Sequence, residues 1–498
     1  MTKLTKEMPR ILVPEEAASL LAKLRELLQQ RSISCYVVGG FVRDGLLGRA
    51  NSDIDIVVSG DALGIASDAA AELGARVVPL DELNQVARVV FPGAGYHWHL
   101  DFASLRGSIE EDLANRDFTV NAIAIDLAEI QGNWSEVQVV DPLGGHADLG
   151  HRIVRATGED RFQQDPARLL RAVRLAATLD FIIDQDTESL IERDCKLITT
   201  VSAERVRDEL CLILETPRAY DSFRHMDRLG LLEPIMPELA PTRGVAQPKE
   251  HFWDVFDHSL ETVAAVERLL RQQGSEQEDE FLASVPWSPE IAEHFAQEIA
   301  GSRTRRALLK LAGLLHDIAK PSTKTTEKDG RMRFLGHAAE GAAMATQLME
   351  RLRFSNREGR TVQLMIEQHL RPGYLVGDEM PSRRAIYRYL RDTAEVSIDT
   401  LFLSLADHLA ARGPTLDLIE WRKHTEMTHY ILFKWFQEQA TVVPPKLIDG
   451  HALIERFGLA PGPQIGALLE MVREAQAAGE VSTMEEALNL VAKRLRRN

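Results

Sequence analysis

The segment from Tyr36 to Ser59 constrains the chain most: Tyr-Val-Val-Gly-Gly-Phe-Val-Arg-Asp-Gly-Leu-Leu-Gly-Arg-Ala-Asn-Ser-Asp-Ile-Asp-Ile-Val-Val-Ser. The apolar run Tyr36 to Val38 predicts a strand that breaks at Gly39-Gly40. Phe41 to Leu47 predicts a short helix, with Gly48 as its stop signal. The next strand carries Asp53 and Asp55, and because strand side chains alternate, both carboxylates share one face. Adjacent acids repel each other and call for a cation. Mg²⁺ suits them, since it prefers hard oxygen ligands and bridges to phosphates. A glycine turn lets backbone N–H groups approach a phosphate chain where a side chain would block them. Together these features predict a nucleoside triphosphate held at Gly39-Gly40, its reacting phosphate over metal on Asp53 and Asp55. Either feature alone also fits a plain turn or a solvated acidic strand; the conjunction carries the reading.

With 498 residues, the chain has room for about three or four domains of ordinary size. A hydrophobic content of 45% supplies their cores, and no apolar run is long enough to cross a membrane. Met1 to Arg10 is charged and lacks an apolar signal region, which argues against secretion. Cys35, Cys195 and Cys211 are scattered, forming neither a metal cluster nor a disulfide framework, so a reducing cytoplasm is expected. The net charge of −17 argues against coating nucleic acid through bulk charge and leaves local basic faces open.

Glu15 to Gln30 spaces its leucines as a helix does. Ala62 to Leu73 reads as a second helix, and Val77 to Leu80 and Ala87 to Phe91 as strands. Tyr96 to Ala103 alternates, so its Asp101 is expected on a third strand beside Asp53 and Asp55. There it would help deprotonate an attacking hydroxyl or hold a metal, or simply be a surface acid. Arg116, Asp117 and Asn121 are polar residues set into the otherwise apolar stretch Asp112 to Asp126, too polar for a core element alone. Asp141-Pro-Leu-Gly-Gly145, followed by Asp148-Leu149, reads as a turn-rich connector closing a first domain.

Several motifs now stand in one order: Gly39-Gly40-x-Val-Arg43-Asp44, Asp53-Ile-Asp55, Arg116-Asp117-Phe-Thr-Val-Asn121, Asp141-Pro-x-Gly, and Asp165-Pro-x-Arg168-x-x-Arg171. The first half of the chain thereby resembles the bacterial-type (class II) tRNA nucleotidyltransferase and poly(A) polymerase family. The resemblance implies an α+β fold, with a small mixed-sheet nucleotidyltransferase head followed by all-helical neck, body and tail. It implies that Asp53 and Asp55 bind the catalytic Mg²⁺, that Gly39, Gly40 and Arg43 meet the triphosphate, and that Arg116, Asp117 and Asn121 hold sugar and phosphates. Its partners would be tRNA, ATP and CTP.

Arg161 to Leu179 predicts one strong helix, with Arg168, Arg171 and Arg174 recurring along one flank. Asp165 and Arg168 pair an acceptor with a donor. Cytosine and adenine each offer an amino donor beside a ring-nitrogen acceptor, whereas uracil and guanine present a carbonyl beside an N–H. One Asp/Arg pair thus accepts C and A and leaves buried polar groups unpaired against U and G. The family is thought to use such a protein template at these positions. Gln164 stands where the family usually has Glu, and Asn115 where many members carry Arg. Ser202 to Leu214 predicts a capped helix whose Glu204, Arg205, Arg207 and Asp208 either brace the template or form a solvated face.

Beyond this the chain changes character. His258, His316-Asp317, His337, His369 and Asp407 each lie in a segment with helical spacing of apolar residues. Imidazoles and carboxylates from several helices suit a divalent metal that activates water. Charges at His316-Asp317 inside Leu-Ala-Gly-Leu-Leu-His-Asp-Ile-Ala-Lys need a partner. This stretch resembles an HD-type phosphohydrolase domain, with His258, His316, Asp317 and Asp407 as its ligand set and His337 and His369 matching the extra ligands of two-metal members. The resemblance implies a divalent transition metal and a phosphatase or cyclic phosphodiesterase activity, or else a metal site kept for stability. Gly274 to Glu280 and Pro286 to Pro289 read as a polar, acidic insertion.

Val442 to Asn498 reads as helix, tight turn at Pro461-Gly462-Pro463, helix, ending in the basic Lys493-Arg494-Leu-Arg496-Arg497. It resembles the tail that meets the far end of the tRNA acceptor–TΨC arm. The expected division is head 10–158, neck 159–245, HD body 246–430 and tail 431–498. The expected activity is addition of C and/or A to a tRNA 3′ end. Three readings stand beside it: a poly(A) polymerase, an HD phosphodiesterase with an RNA-binding first half, and a non-catalytic RNA-binding protein, which the two metal constellations disfavour.

Overall fold

Seven strands form one mixed sheet in the N-terminal part of the chain. In the computed structural model, residues 11–92, 98–130, 134, 137–271, 281–438 and 444–496 are described. They fall into two compact units: Met1–Val201 together with Leu229–Leu231, and Ser202–Arg228 together with Leu232–Asn498.

In the first unit, helix α1 (Glu15–Gln30) buries Ala17, Leu21, Leu24 and Leu28 on one face, as its leucine spacing predicts. Strand β1 (Cys35–Val38) leads into the short helix α2 (Gly40–Leu46), and β2 is Asp53–Val58. Helix α3 (Ala62–Leu73) follows, then β3 (Arg76–Asp81), β4 (Val86–Val90) and β5 (His99–Ser104). Helix α4 (Ile109–Ala114) is closed by a capping box between Ser108 and Glu111. Strands β6 (Ala124–Asp126) and β7 (Val139–Val140) complete a sheet of order β3-β4-β5-β2-β1-β6-β7. β2 runs antiparallel to β1 and parallel to β5. Its alternation buries Ile54 and Ile56 and turns Asp53 and Asp55 to the other face. The predicted strand start at Tyr96 lies outside the described residues.

Two expectations are corrected. The connector after Asp141 contains a helix, α5 (Gly145–His151), whose first N–H groups at Gly145 and His146 donate to the Asp141 carboxylate at 2.7 and 3.0 Å. Gly145 is required there, because a Cβ would meet the Thr119 carbonyl oxygen at 2.0 Å. The predicted single helix from Arg161 to Leu179 is two: α6 (Arg161–Gln164) and α7 (Arg168–Leu179), separated by an extended Asp165 (φ −146°, ψ 95°). Pro166 is the cause, since it has no N–H to donate and drives its predecessor out of the helical region. Strands β8 (Ile153–Val154) and β9 (Ile182–Ile183) pair in parallel before and after this helical pair.

The second unit is mainly helical; the expected all-helical body is corrected by two small antiparallel pairs, Glu298–Ala300 with Arg303–Thr304 and Lys324–Thr326 with Met332–Phe334. Helix Ala203–Glu215 starts at Ser202, whose side chain makes no capping bond, so the predicted cap is positional only. Helices Val255–Leu270, Arg305–Leu315, Asn356–Gln368 and Ser397–Arg412 pack together around a core that includes Leu260, Val263, Leu308, Leu311, Ile366 and Phe402. Buried Asp399 is held there by Arg305 (2.8 Å) and His294 (2.9 Å). The tail comprises Gly450–Phe457, Pro463–Ala477 and Met484–Leu495 around Leu453, Leu468, Val472 and Val491. Glu470 of the tail accepts from Arg391 (2.9 Å), and Glu474 lies 3.1 Å from Arg384, both arginines being on helix Arg383–Thr393. The predicted insertion at 274–280 and Arg497 lie outside the described residues. No described helix is long and apolar enough to cross a membrane. The three cysteines are unpaired.

His424 gives this unit a pH dependence. It is buried, 3.1 Å from the Ser404 hydroxyl, and burial pushes it down to about 3. An unfolded histidine binds its proton near pH 6.5, so the unfolded chain alone gains the proton as pH falls from there towards 3. Stability from the neutral imidazole is therefore full above pH 6.5 and declines by about 1.4 kcal/mol per pH unit below it. Urea titrations at pH 7 and pH 5 should show that His424→Gln shrinks the wild-type difference by about 2 kcal/mol.

Candidate active sites

The first site is built where β1, β2 and β5 lie side by side. Register places Asp55 opposite Val38 of β1 and opposite Asp101 of β5, with Asp53 beside His99. The three predicted carboxylates thus stand on adjacent strands of one sheet. Gly39 follows Val38 at φ 73°, and a Cβ there would meet Asp55 Oδ2 at 2.7 Å and Arg116 Nη1 at 3.2 Å. Only glycine lets the backbone pass this close. The Gly40 N–H acts to lower the Asp55 pKa. Burial raises the Asp55 pKa; Arg116 opposes that, and Asp101 and Asp53 add to it. A row of acids in which one is pushed towards its neutral form is a donor set suited to a divalent cation.

From α2, Arg43 donates to Asn121 Oδ1 at 2.7 Å and lies in a two-bond pair with Asp44 at 2.8 Å each. Asn121 donates to Asp117 Oδ1 (3.1 Å), and Arg171 of α7 donates to Asp117 Oδ2 (3.2 Å). Arg43, Asn121, Asp117 and Arg171, scattered over the sequence, are therefore one polar ladder. Arg116 also meets Asp112 at 3.3 Å. Arg168 stands with Nε 4.0 Å from Asp165 Oδ2 and donates to the Asn115 carbonyl at 3.3 Å. Burial pulls its guanidinium below the ordinary value. Gln164, where a carboxylate was expected, accepts from Arg161 at 2.6 Å and donates to Asp160 at 2.7 Å.

Four residues were not singled out for this site. His99 Nδ1 lies 3.1 Å from Asp53 Oδ1, Arg88 donates twice to Asp101 (2.8 and 2.7 Å), and Asn51 joins Asp44 (2.7 Å) to the Asp53 backbone N–H (2.9 Å). Asp44 and Asn51 lie within the quoted Tyr36–Ser59 segment; His99 and Arg88 depend on strand register.

The second site lies within the helical unit. His316 ends helix Arg305–Leu315, His258 sits on Val255–Leu270, His337 begins His337–Arg351, His369 ends Asn356–Gln368, and Asp407 sits on Ser397–Arg412. Three of the imidazoles direct Nδ1 to a backbone carbonyl: His316 to Gly313 (2.8 Å), His337 to Phe334 (2.7 Å) and His369 to Ile366 (2.6 Å). Donating there leaves each Nε2 as a lone-pair ligand. Asp317 Oδ2 lies 3.3 Å from His258 Nε2 and 3.2 Å from His316 Nε2, while its Oδ1 lies 3.4 Å from His337 and 4.0 Å from His369. Asp407 Oδ1 is 3.0 Å from His258 and 3.7 Å from His316. All six predicted residues converge, with Asp317 shared between two groups.

Two nitrogens, His258 Nε2 and His316 Nε2, face each other at 3.2 Å, and neither Asp317 oxygen has an aligned hydrogen-bond donor among the described residues. Such a buried set fits a metal ion. Burial works against charge on His316, yet Asp317 and Asp407 prevail and push it up to about 10. Burial and His316 push His369 down to about 4. Lys320, not singled out before, lies 2.6 Å from Asp317 Oδ2 and donates to Gln247 Oε1 at 2.6 Å. A cavity of about 1200 Å³ opens over Asp317, His337, His369 and Asp407.

Family models match the regions that carry both sites. Residues 35–92 and 76–155 match the poly A polymerase head domain, 180–242 the probable RNA and SrmB-binding site of polymerase A, and 255–412 the HD domain. The A-adding tRNA nucleotidyltransferase of Deinococcus radiodurans is 34% identical over 91% of this chain and 93% of its own. The chain belongs to the tRNA nucleotidyltransferase family. The CC-adding tRNA nucleotidyltransferase of Thermus thermophilus is 31% identical over 91% of this chain and 92% of its own. In fold, the Thermotoga maritima CCA-adding enzyme complexed with tRNA is similar at a TM-score of 0.63 (23% identity, 97% and 96% coverage). A CCA-adding enzyme complexed with CTP is similar at 0.66 (22% identity, 97% and 96% coverage). The α+β nucleotidyltransferase assignment therefore stands, and the families of both sites are metal-dependent.

Proposed function

We propose that this tRNA nucleotidyltransferase adds C and/or A to tRNA 3′ ends from CTP and ATP in a reducing cytoplasm, and that its HD centre is a phosphohydrolase. The observation that carries the first part is the close approach of Gly39 to Asp55 and Arg116. It presents a bare backbone beside an acid row, which is what a triphosphate needs.

In this reading Asp53 and Asp55 hold Mg²⁺. When bound, it stabilises the charge on the attacking and leaving oxygens of nucleotidyl transfer. Gly39, Gly40 and Arg43 bind the phosphates; Arg116, Asp117 and Asn121 hold the sugar and remaining phosphate charge. Asp101, in the same row, takes the proton of the attacking 3′-hydroxyl or completes the metal's ligand set, with Arg88 orienting its carboxylate. Asp165 accepts from, and Arg168 donates to, the pairing edge of cytosine or adenine, and Arg171 fixes Asp117 beneath it. The terminal hydroxyl forms a bond to the α-phosphorus and pyrophosphate leaves. The four parts 10–158, 159–245, 246–430 and 431–498 act as head, neck, HD body and RNA-binding tail.

Three tRNA transcripts, ending before C74, after one C and after CC, each supplied with CTP or ATP, test the assignment. Incorporation should be confined to one to three nucleotides on tRNA, and which transcript is extended tells CC, A and full CCA addition apart. Long A tails on unrelated RNA would instead make the chain a poly(A) polymerase. For the HD centre, the convergence of His258, His316, Asp317, His337, His369 and Asp407 supports a divalent transition metal and hydrolysis of a phosphate ester.

A further inference from the structure

His251 lies on the wall of the HD cavity and belongs to neither group of converging ligands. The segment that carries it is fixed from both sides. Its own N–H donates to the Pro248 carbonyl (2.9 Å), and Phe252 N–H donates to the Ala411 carbonyl (2.8 Å). Gln247, which accepts from Lys320, donates to the Trp253 carbonyl at 3.3 Å. The ring stands edge-on to His258, with centroids 5.4 Å apart and planes at 76°.

Three roles compete for this imidazole. As a metal ligand it would bring a ring nitrogen within 4.0 Å of Asp317, as His258, His316, His337 and His369 do; it makes no such contact, and its Nδ1 is buried without a hydrogen-bond partner. As packing alone, an apolar ring would fill the place without the cost of about 1–3 kcal/mol for an unsatisfied buried polar atom. The third role uses the ring's position on a cavity that Asp317, His337, His369 and Asp407 also line. Resting on the phosphohydrolase reading, we propose that His251 is a substrate-contacting residue, its imidazole hydrogen-bonding a phosphoryl oxygen of a phosphate ester seated over the six-ligand cluster. The segment 247–253 then preorganises that contact, and Lys320, through Gln247, ties it to Asp317.

Full-length wild type, His251→Ala and His251→Asn loaded with Mn²⁺ test this by metal content, melting temperature, calorimetric binding of inorganic phosphate and turnover of bis(p-nitrophenyl) phosphate. His251→Ala should keep the wild-type metal content and melting temperature while weakening phosphate binding and kcat/KM by about 10- to 100-fold. His251→Asn, which keeps an N–H donor, should recover part of both. Loss of metal would make His251 a ligand, and unchanged phosphate binding would make it packing; either overturns the proposal. An inert wild type that still binds phosphate through His251 would overturn only the phosphohydrolase reading.

Discussion

Asp55→Ala should abolish nucleotide addition while leaving the HD centre intact. Asp55 is the middle acid of the row: Asp53 lies two residues away on the same strand, Asp101 is opposite on β5, and the Gly40 N–H and Arg116 act directly on its carboxylate. Metal ions at such a site supply several kcal/mol of charge stabilisation, so their loss should lower CMP or AMP incorporation by about 10³- to 10⁵-fold. The fold should survive, since the substitution removes a carboxylate that burial already disfavours. Melting temperature should hold, and phosphate release by the HD centre should be unchanged, because that centre lies in the other compact unit. Labelled-nucleotide incorporation and phosphate release, measured on one preparation, decide the matter. Joint loss in a folded protein would refute two independent sites.

What the sequence made legible here was local. The alternation of Asp53 and Asp55 on one strand and the helix at Glu15–Gln30 follow from periodicity and stand in the structure; the six residues of the HD stretch stood out by residue type and resemblance, and the structure brings them together. What it hid was register and chain reversal. Arg88 and Asp101 pair only because β4 and β5 are antiparallel in that register, and His99 reaches Asp53 only because β5 is parallel to β2. No single strand carries that information, since pairing between distant segments is set by the whole sheet. The break at Asp165 was legible in principle from Pro166, but the apolar spacing from Leu169 to Leu179 masked it. Lys320 closed the quoted His316-Asp317 stretch without a role of its own, and His251 lay in no motif; the contacts of the segment 247–253 give them meaning.

Asp317→Ala should have the second large effect, and on metal binding before catalysis. Asp317 reaches both sides of the cluster, Oδ2 towards His258 and His316 and Oδ1 towards His337 and His369. Removing it breaks the bridge and also leaves Lys320 buried without its carboxylate, which lay 2.6 Å away. Truncating one member of a buried ion pair costs about 3–5 kcal/mol, so the metal-free variant should melt clearly below metal-free wild type. A metal that binds only the folded chain stabilises it. Wild type should therefore lose melting temperature on treatment with a chelator, whereas Asp317→Ala should show almost no change, because it holds no metal to lose. Phosphate release should vanish in the variant and CMP or AMP incorporation should persist. A variant that keeps its metal and its chelator response would show that His258, His316 and Asp407 suffice, and that Asp317 bridges nothing.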